Sequence, residues 1–424
     1  MSAFVFGLVL GPVEGQQKPV ELAGIEERLE RLLLENILPF WYPQMLDREY
    51  GGYRLNHDAA GHWQGPADKA LVTQARTLWF FARLYNDGYG GPEHLQAARH
   101  GFQFLRDKLW DDEYGGFYWA VDHRGETATR PHKHLYGQGF GLYALAEYIE
   151  ATGDTAAVRL ASELFGLLES RAHDSEWGGY REFFGRDWGA PPADVGPYVG
   201  GVKAAKLMNT HLHLMEPFTT YLQVSGNELV RRRLVELILV QSNAVVRKEV
   251  GACTDKYAAD WTPLTGPQFE RVSYGHDIEN VWLLVEACRA AGLPNGPLLD
   301  LYRTLMDYSL QYGYDHEQGG FYGDGNFGAP ADVRSKTWWV QAEGLVAALY
   351  MYELTGEQRY WTVFEQTLQW IETRQADWAV GDWHSVVNQD GSTGYGKAGA
   401  WKSPYHNGRA VLQCLEVLGG LQGE

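Results

Sequence analysis

Cysteine is scarce. Cys253, Cys288 and Cys414 are the whole complement in 424 residues, far apart and with no CxxC pair. That excludes a dense disulfide framework and a sequence-evident zinc knuckle. Positive charge is also in deficit: 36 Lys plus Arg stand against 54 Asp plus Glu, a formal net charge of -18. Such a chain suits neither a nucleic-acid backbone nor an anionic membrane. Long apolar runs are missing, since no segment approaches 18 uninterrupted apolar residues, and no transmembrane helix is expected. The short apolar stretch at residues 3–10 has no Lys or Arg within it and is too brief to span a bilayer. It reads as tail rather than signal-peptide remnant, so residues 1–24 are expected to be an N-terminal tail and the location cytoplasmic. Aromatics, by contrast, abound: 16 Trp, 25 Tyr and 17 Phe, far too many for low-complexity disorder. The chain is a soluble globular protein by composition.

Its most informative pattern is a repeat. Glu49-Tyr50-Gly51-Gly52-Tyr53, Glu113-Tyr114-Gly115-Gly116-Phe117, Glu176-Trp177-Gly178-Gly179-Tyr180 and Glu317-Gln318-Gly319-Gly320-Phe321 share one form. Degenerate copies at Glu249-Val250-Gly251 and Val380-Gly381-Asp382-Trp383 fill the gaps. Six units of roughly 60–70 residues result, the signature of a repeat architecture. Between the turns, apolar residues recur at helical spacing over 25–39, 70–84, 143–150, 158–170, 229–246, 281–291, 299–310 and 341–354. Two helices and a Gly-Gly hairpin turn fit each unit. Six such hairpins close into an all-α (α/α)6 barrel with short hairpin strands in the connecting loops, and an open solenoid is the rival. No Pro/Ser-rich linker divides the chain, so residues 25–424 are expected to form a single catalytic domain.

Two nucleotide-binding patterns are set aside. Residues 323–328 fit GxGxxG without an evident strand before or amphipathic helix after, and residues 391–397 begin a P-loop but Ala398 replaces the Ser or Thr that binds Mg. The histidines say more. Asn209, His211, His213 and Glu216 fall within eight residues, and His276 lies three before Glu279, on one face if helical. His406 stands near Trp401 and Arg409, and His134 near Tyr136. A lone histidine in an apolar run is usually a satisfied core residue, but four clusters at comparable places in successive units point to one shared site. A metal site on His211, His213 and Glu216 is the sharper rival. Residues two apart on a helix point about 200° apart, which argues against it. Arg76 is a charge inside an apolar helix, and Trp338 and Trp339 precede Glu343 by about one turn. Core packing is the default for such aromatics, and stacking on a sugar is the alternative in a His-lined cavity.

The segments MNTHLHLMEPF, VSYGHDIENVWLL, KTWWVQAEGL and WKSPYHNGRA resemble the N-acylglucosamine 2-epimerase superfamily. Within it they are most similar to the cellobiose 2-epimerase branch, and FWYPQMLDREYGGY and LVTQARTLWFFARLY match as well. The resemblance runs from about residue 25 to the end. It implies an (α/α)6 barrel and a cofactor-free, metal-free proton-transfer site. His276 and His406 would be the acid/base pair, assisted by Arg76, His213 and Glu279. Trp339 and Trp401 would be sugar platforms, with Trp338, Tyr136, His134, His211, Asn209, Glu343 and Arg409 as further site residues. The implied reaction inverts C2 of the reducing-end glucose in a cellobiose-type disaccharide. Alternatives are 2-epimerisation of free mannose or glucose, mannose–fructose isomerisation and, more remotely, an inverting glycosidase. The expected partner is a small sugar, with no nucleic acid and no membrane, on a monomer or weak homo-oligomer.

Overall fold

The computed structural model describes residues 19–200 and 205–423. Twelve helices alternate between an outer and an inner ring. The outer ones are α1 (Pro19–Arg31), α3 (Pro92–Phe104), α5 (Thr155–Leu167), α7 (Glu228–Leu239), α9 (Leu299–Tyr312) and α11 (Gln358–Trp370). The inner ones are α2 (Leu71–Asn86), α4 (Leu135–Thr152), α6 (Met208–Ser225), α8 (Tyr274–Ala291), α10 (Trp338–Thr355) and α12 (Tyr405–Gly423). Each inner helix packs on the next and α12 returns to α2, while α1 packs on α12. The ring is closed, so the (α/α)6 barrel holds and the solenoid does not. Among the described residues no helix is long and apolar enough to cross a membrane. Of the tail expected over 1–24, residues 1–18 lie outside the described residues, and α1 already runs from Pro19.

Sequence periodicity marked eight of these helices but not α3, α6, α11 or α12, and it opened α4 and α8 several residues late. For the inner helices among them the reason is burial. Inner helices are enclosed on nearly every side, as in α10 from Val340 to Met351, so the apolar stripe that betrays a surface helix is diluted. The Gly-Gly motifs are hairpin turns closed by bridges such as Leu46–Tyr53, Trp110–Phe117 and Tyr314–Phe321. Other two- or three-residue strands stitch successive units, as where Lys69–Ala70 pairs with Ala120–Val121.

A side chain at the fourth position of five inner helices, α2, α4, α6, α8 and α10, bonds the backbone of the preceding turn. Gln74, Gln138 and Gln341 each accept from the N–H and donate to the carbonyl of Tyr53, Phe117 and Phe321, at 2.7–2.9 Å. The approach explains the second glycine: a Cβ on Gly52 would come within 2.5 Å of Gln74 Oε1, and φ there is +68°. Buried ion pairs reinforce each turn. Lys69–Asp47, Lys133–Asp111, Lys206–Asp174 and Lys336–Asp315 span 2.7–2.9 Å. Removing one partner from a buried pair costs about 3–5 kcal/mol, so these lysines fix where each inner helix begins.

One buried carboxyl is less well served. Glu182 accepts from the Leu207 N–H at 2.9 Å, its second oxygen has no hydrogen-bond partner, and burial pushes its pKa up to about 8. A carboxyl raised on folding adds stability below its unfolded pKa and loses it as pH rises through the folded value. Glu182→Gln keeps the acceptor for Leu207 without the charge. The variant should match the parent near pH 4.5 and melt a few degrees higher at pH 9. Equal melting shifts at both pH values would show that Glu182 does not ionise in the fold.

Candidate active site

The register that sets the clamps also builds the site. Positions two or three and six of an inner helix share one face, and here that face looks down the barrel axis. Position six is Arg76 in α2, His213 in α6, Glu279 in α8 and Glu343 in α10. Position three of α8 is His276. Counted from Pro404, α12 places His406 third and Arg409 sixth. Four histidine clusters, distant in sequence, therefore meet at the end of the barrel where inner helices start.

They surround a cavity of about 260 Å³. Its wall includes all five residues expected to act on the substrate (Arg76, His213, His276, Glu279 and His406), together with Tyr136, Asn209, Trp338, Trp339 and Trp401. Val199, which the sequence did not single out, completes it. Four further expectations fall elsewhere. His211, at position four, accepts from the Tyr180 N–H at 2.9 Å and bonds the Leu207 carbonyl at 2.7 Å. It is the turn clamp of its unit, and burial pushes it down to about 4, so it is neutral. His134 precedes α4 and its Nδ1 accepts from the Tyr136 N–H at 3.3 Å, a buried helix cap beside the cavity. Glu343 and Arg409 sit behind the wall as partners of residues in it.

That backing network is dense. His406 Nδ1 lies 2.6 Å from Glu343 Oε1, which also accepts from Arg409 at 2.8 Å. The other Glu343 oxygen accepts from Trp282 Nε1 at 2.9 Å. Arg409 donates to Glu279 at 2.7 Å and reaches Glu216 and Tyr405. Glu216 in turn bonds His213 Nδ1 at 2.7 Å. Each carboxylate fixes a tautomer and leaves Nε2 of His406 and of His213 without a hydrogen bond, the latter 4.0 Å from a Glu279 oxygen. Glu279, one turn beyond His276, does not bond that ring and accepts from Arg409 instead. Among the described residues no hydrogen bond holds the His276 ring, which lies 4.8 Å from Trp339 between centroids. Glu216, Tyr405 and Trp282 are contributors the sequence left without a site role. Glu216 at His213+3 was the available signal, weighed from sequence only as a member of the rejected metal set.

Electrostatics follow from enclosure. Burial pushes His213 and His406 well below the ordinary imidazole value, and the Arg76 charge adds to this. Burial lowers His276 as well. All three are thus neutral near pH 7. Burial, then repulsion from Glu343, pushes Glu279 up. Arg76 is the least compensated charge of the cluster, and it is buried. It donates to the Tyr136 hydroxyl at 3.0 Å and lies 4.1 Å from the Phe140 ring and 4.6 Å from that of Tyr405. Its Nε has no partner, and among the described residues it enters no ion pair. The metal set weighed from sequence does not assemble, because His211 faces away. His213, His276 and Glu279 do bring ligand atoms within 4.8 Å of one another.

Comparison with known proteins agrees with this architecture. The N-acylglucosamine 2-epimerase (GlcNAc 2-epimerase) family profile matches residues 51–410. A cellobiose 2-epimerase of Bacteroides fragilis is 31% identical over 398 residues, covering 93% of this chain and 99% of its own. The structure of a cellobiose 2-epimerase from Bacillus thermoamylovorans superposes with a TM-score of 0.86 at 30% identity, over 93% of this chain and 99% of that one. A D-mannose isomerase of Marinomonas mediterranea is 25% identical across 91% of this chain and 96% of its own. The chain is therefore an enzyme of the N-acylglucosamine 2-epimerase family.

Proposed function

We propose that the enzyme inverts C2 of the reducing-end glucose in a β-1,4-linked disaccharide such as cellobiose, giving the mannose epimer. The observation that carries this reading is the meeting of two neutral imidazoles, His276 and His406, with the unpaired cation Arg76 in one cavity. Once the sugar ring has opened, the C2 proton lies alpha to an aldehyde. A neutral imidazole removes it and the enediolate forms; the other histidine, protonated from solvent, delivers a proton to the opposite face while the first gives its own back to solvent. His276 and His406 come from α8 and α12, separated in the ring by α10, which suits them to address C2 from two sides. The two are not equivalent. Glu343 at His406 Nδ1 fixes that ring's tautomer and orientation, whereas among the described residues the His276 ring is held by no hydrogen bond and lies against Trp339. Arg76 faces the enediolate oxygen and stabilises the charge that develops there. Asn209 and Tyr136 are placed to bind hydroxyls, and Trp339 to stack on the ring.

The disaccharide reading is supported by the names of the relatives at 30% identity or more and by the shape of the mouth. The cavity is smaller than the roughly 300 Å³ at which pockets begin to enclose drug-sized ligands, which fits one hexose. Trp401, 45% exposed, offers a platform for a second ring outside. Proton NMR in D2O with cellobiose should show deuterium entering C2 as glucosyl-mannose accumulates. Conversion of mannose alone would move the enzyme to monosaccharides, with fructose as product naming an isomerase. Glucose released without exchange would mean a hydrolase and end the epimerase reading.

A further inference from the structure

We propose that a second cavity beside the mouth is a distal sugar subsite, which takes the third ring of a β-1,4-linked oligosaccharide; this rests on the epimerase reading above. The cavity, about 190 Å³, is walled by Tyr50, Asn56, Trp63, Asp68, Thr73 and Ala400 among others. Two elements tie it to the reaction cavity. Thr73 precedes Arg76 on α2 by three residues, about 4.5 Å along the axis. Ala400 is bonded directly to Trp401, the platform at the mouth. A chain leaving the reaction cavity over Trp401 therefore arrives here next.

The lining chemistry suits a neutral polyol. A pyranose offers an apolar C–H face ringed by hydroxyls, and it needs a flat aromatic surface with polar groups at the edge. Trp63 is 48% exposed, a large indole left open beside the mouth. It is not loose, because the Arg54 guanidinium lies 5.3 Å from its ring and is itself drawn to Asp47 at 3.6 Å. Tyr50 is set edge-on against His123 at 5.4 Å. Asn56 donates to the Gly65 carbonyl at 3.0 Å, and Asp68 accepts from Thr129 at 2.7 Å, so both polar side chains are oriented before any ligand arrives. Asp47 pairs with Lys69 at 2.7 Å and draws Arg54, and Glu49 and Asp68 leave the wall slightly acidic, which disfavours an anion and leaves a neutral sugar unaffected.

The test compares kcat/KM on cellobiose and cellotriose for the parent and for Trp63→Ala. The variant should lose about tenfold on the trisaccharide, the worth of one partly covered aromatic contact, and stay unchanged on the disaccharide. An equal loss on both sugars, or none on either, overturns the subsite. If the parent epimerises neither sugar, the epimerase reading has failed, and calorimetric binding then decides the subsite by itself. Tighter binding of cellotriose than cellobiose, abolished by Trp63→Ala, upholds it; equal binding of the two overturns it. Unchanged melting of Trp63→Ala guards against a folding artefact.

Discussion

His276→Ala and His406→Ala should each leave the barrel folded and cut epimerisation by about 10²–10⁴-fold, the usual worth of a positioned acid or base. A sharper outcome separates two bases from one. With two, each variant loses epimerisation but keeps the imidazole that exchanges C2 of a single epimer. His276→Ala should then wash deuterium into one of glucosyl-glucose and glucosyl-mannose, and His406→Ala into the other, by NMR in D2O. Exchange of both epimers by either variant would show a single base serving both faces. The pH profile carries the same logic. Burial lowers both imidazoles, so the neutral form survives to lower pH and the acid limb of kcat/KM should fall below the ordinary value near 6.5. An acid limb above it would mean that a different group is titrating.

Why so much of this site was legible, and where legibility stopped, comes down to helix register. The Gly-Gly turns repeat because each must admit a side chain against its backbone, and that demand leaves a mark in sequence wherever Gly is the only residue that fits. The turn lysines and aspartates carried a similar mark. An Asp stands four residues before the first Gly in four units, at 47, 111, 174 and 315, but its Lys partner is 21 to 32 residues away and only the fold pairs them. His211 and His213 show the limit most plainly. They are the same residue type, two positions apart, and composition cannot tell them apart. Position four faces the turn and position six faces the axis, so one is a clamp and the other lines the cavity. The start of α6 decides this, and that start is fixed by Lys206 and its buried pair with Asp174. Glu343 and Arg409 were recognisable as site residues by motif. Their place one layer behind the wall depends on contacts between α8, α10 and α12, which no local pattern reports.

Arg76 offers the most discriminating variant, because its loss should move activity and stability in opposite directions. A buried guanidinium without a carboxylate in ion-pair contact is costly to the free enzyme. Contact with the Phe140 and Tyr405 rings offsets only part of that. Arg76→Met keeps the length and the apolar packing while removing the charge, so the free protein should melt at the same temperature or higher. Turnover should fall about 10²–10³-fold, as when one oxyanion donor is removed, and chiefly in kcat, since the enediolate and not the sugar carries the charge. A structural arginine gives the reverse pattern, with lower melting and activity that follows the folded fraction. The site therefore stores its stabilising charge before any substrate binds, at the expense of the resting fold, and releases that cost only when the anion forms.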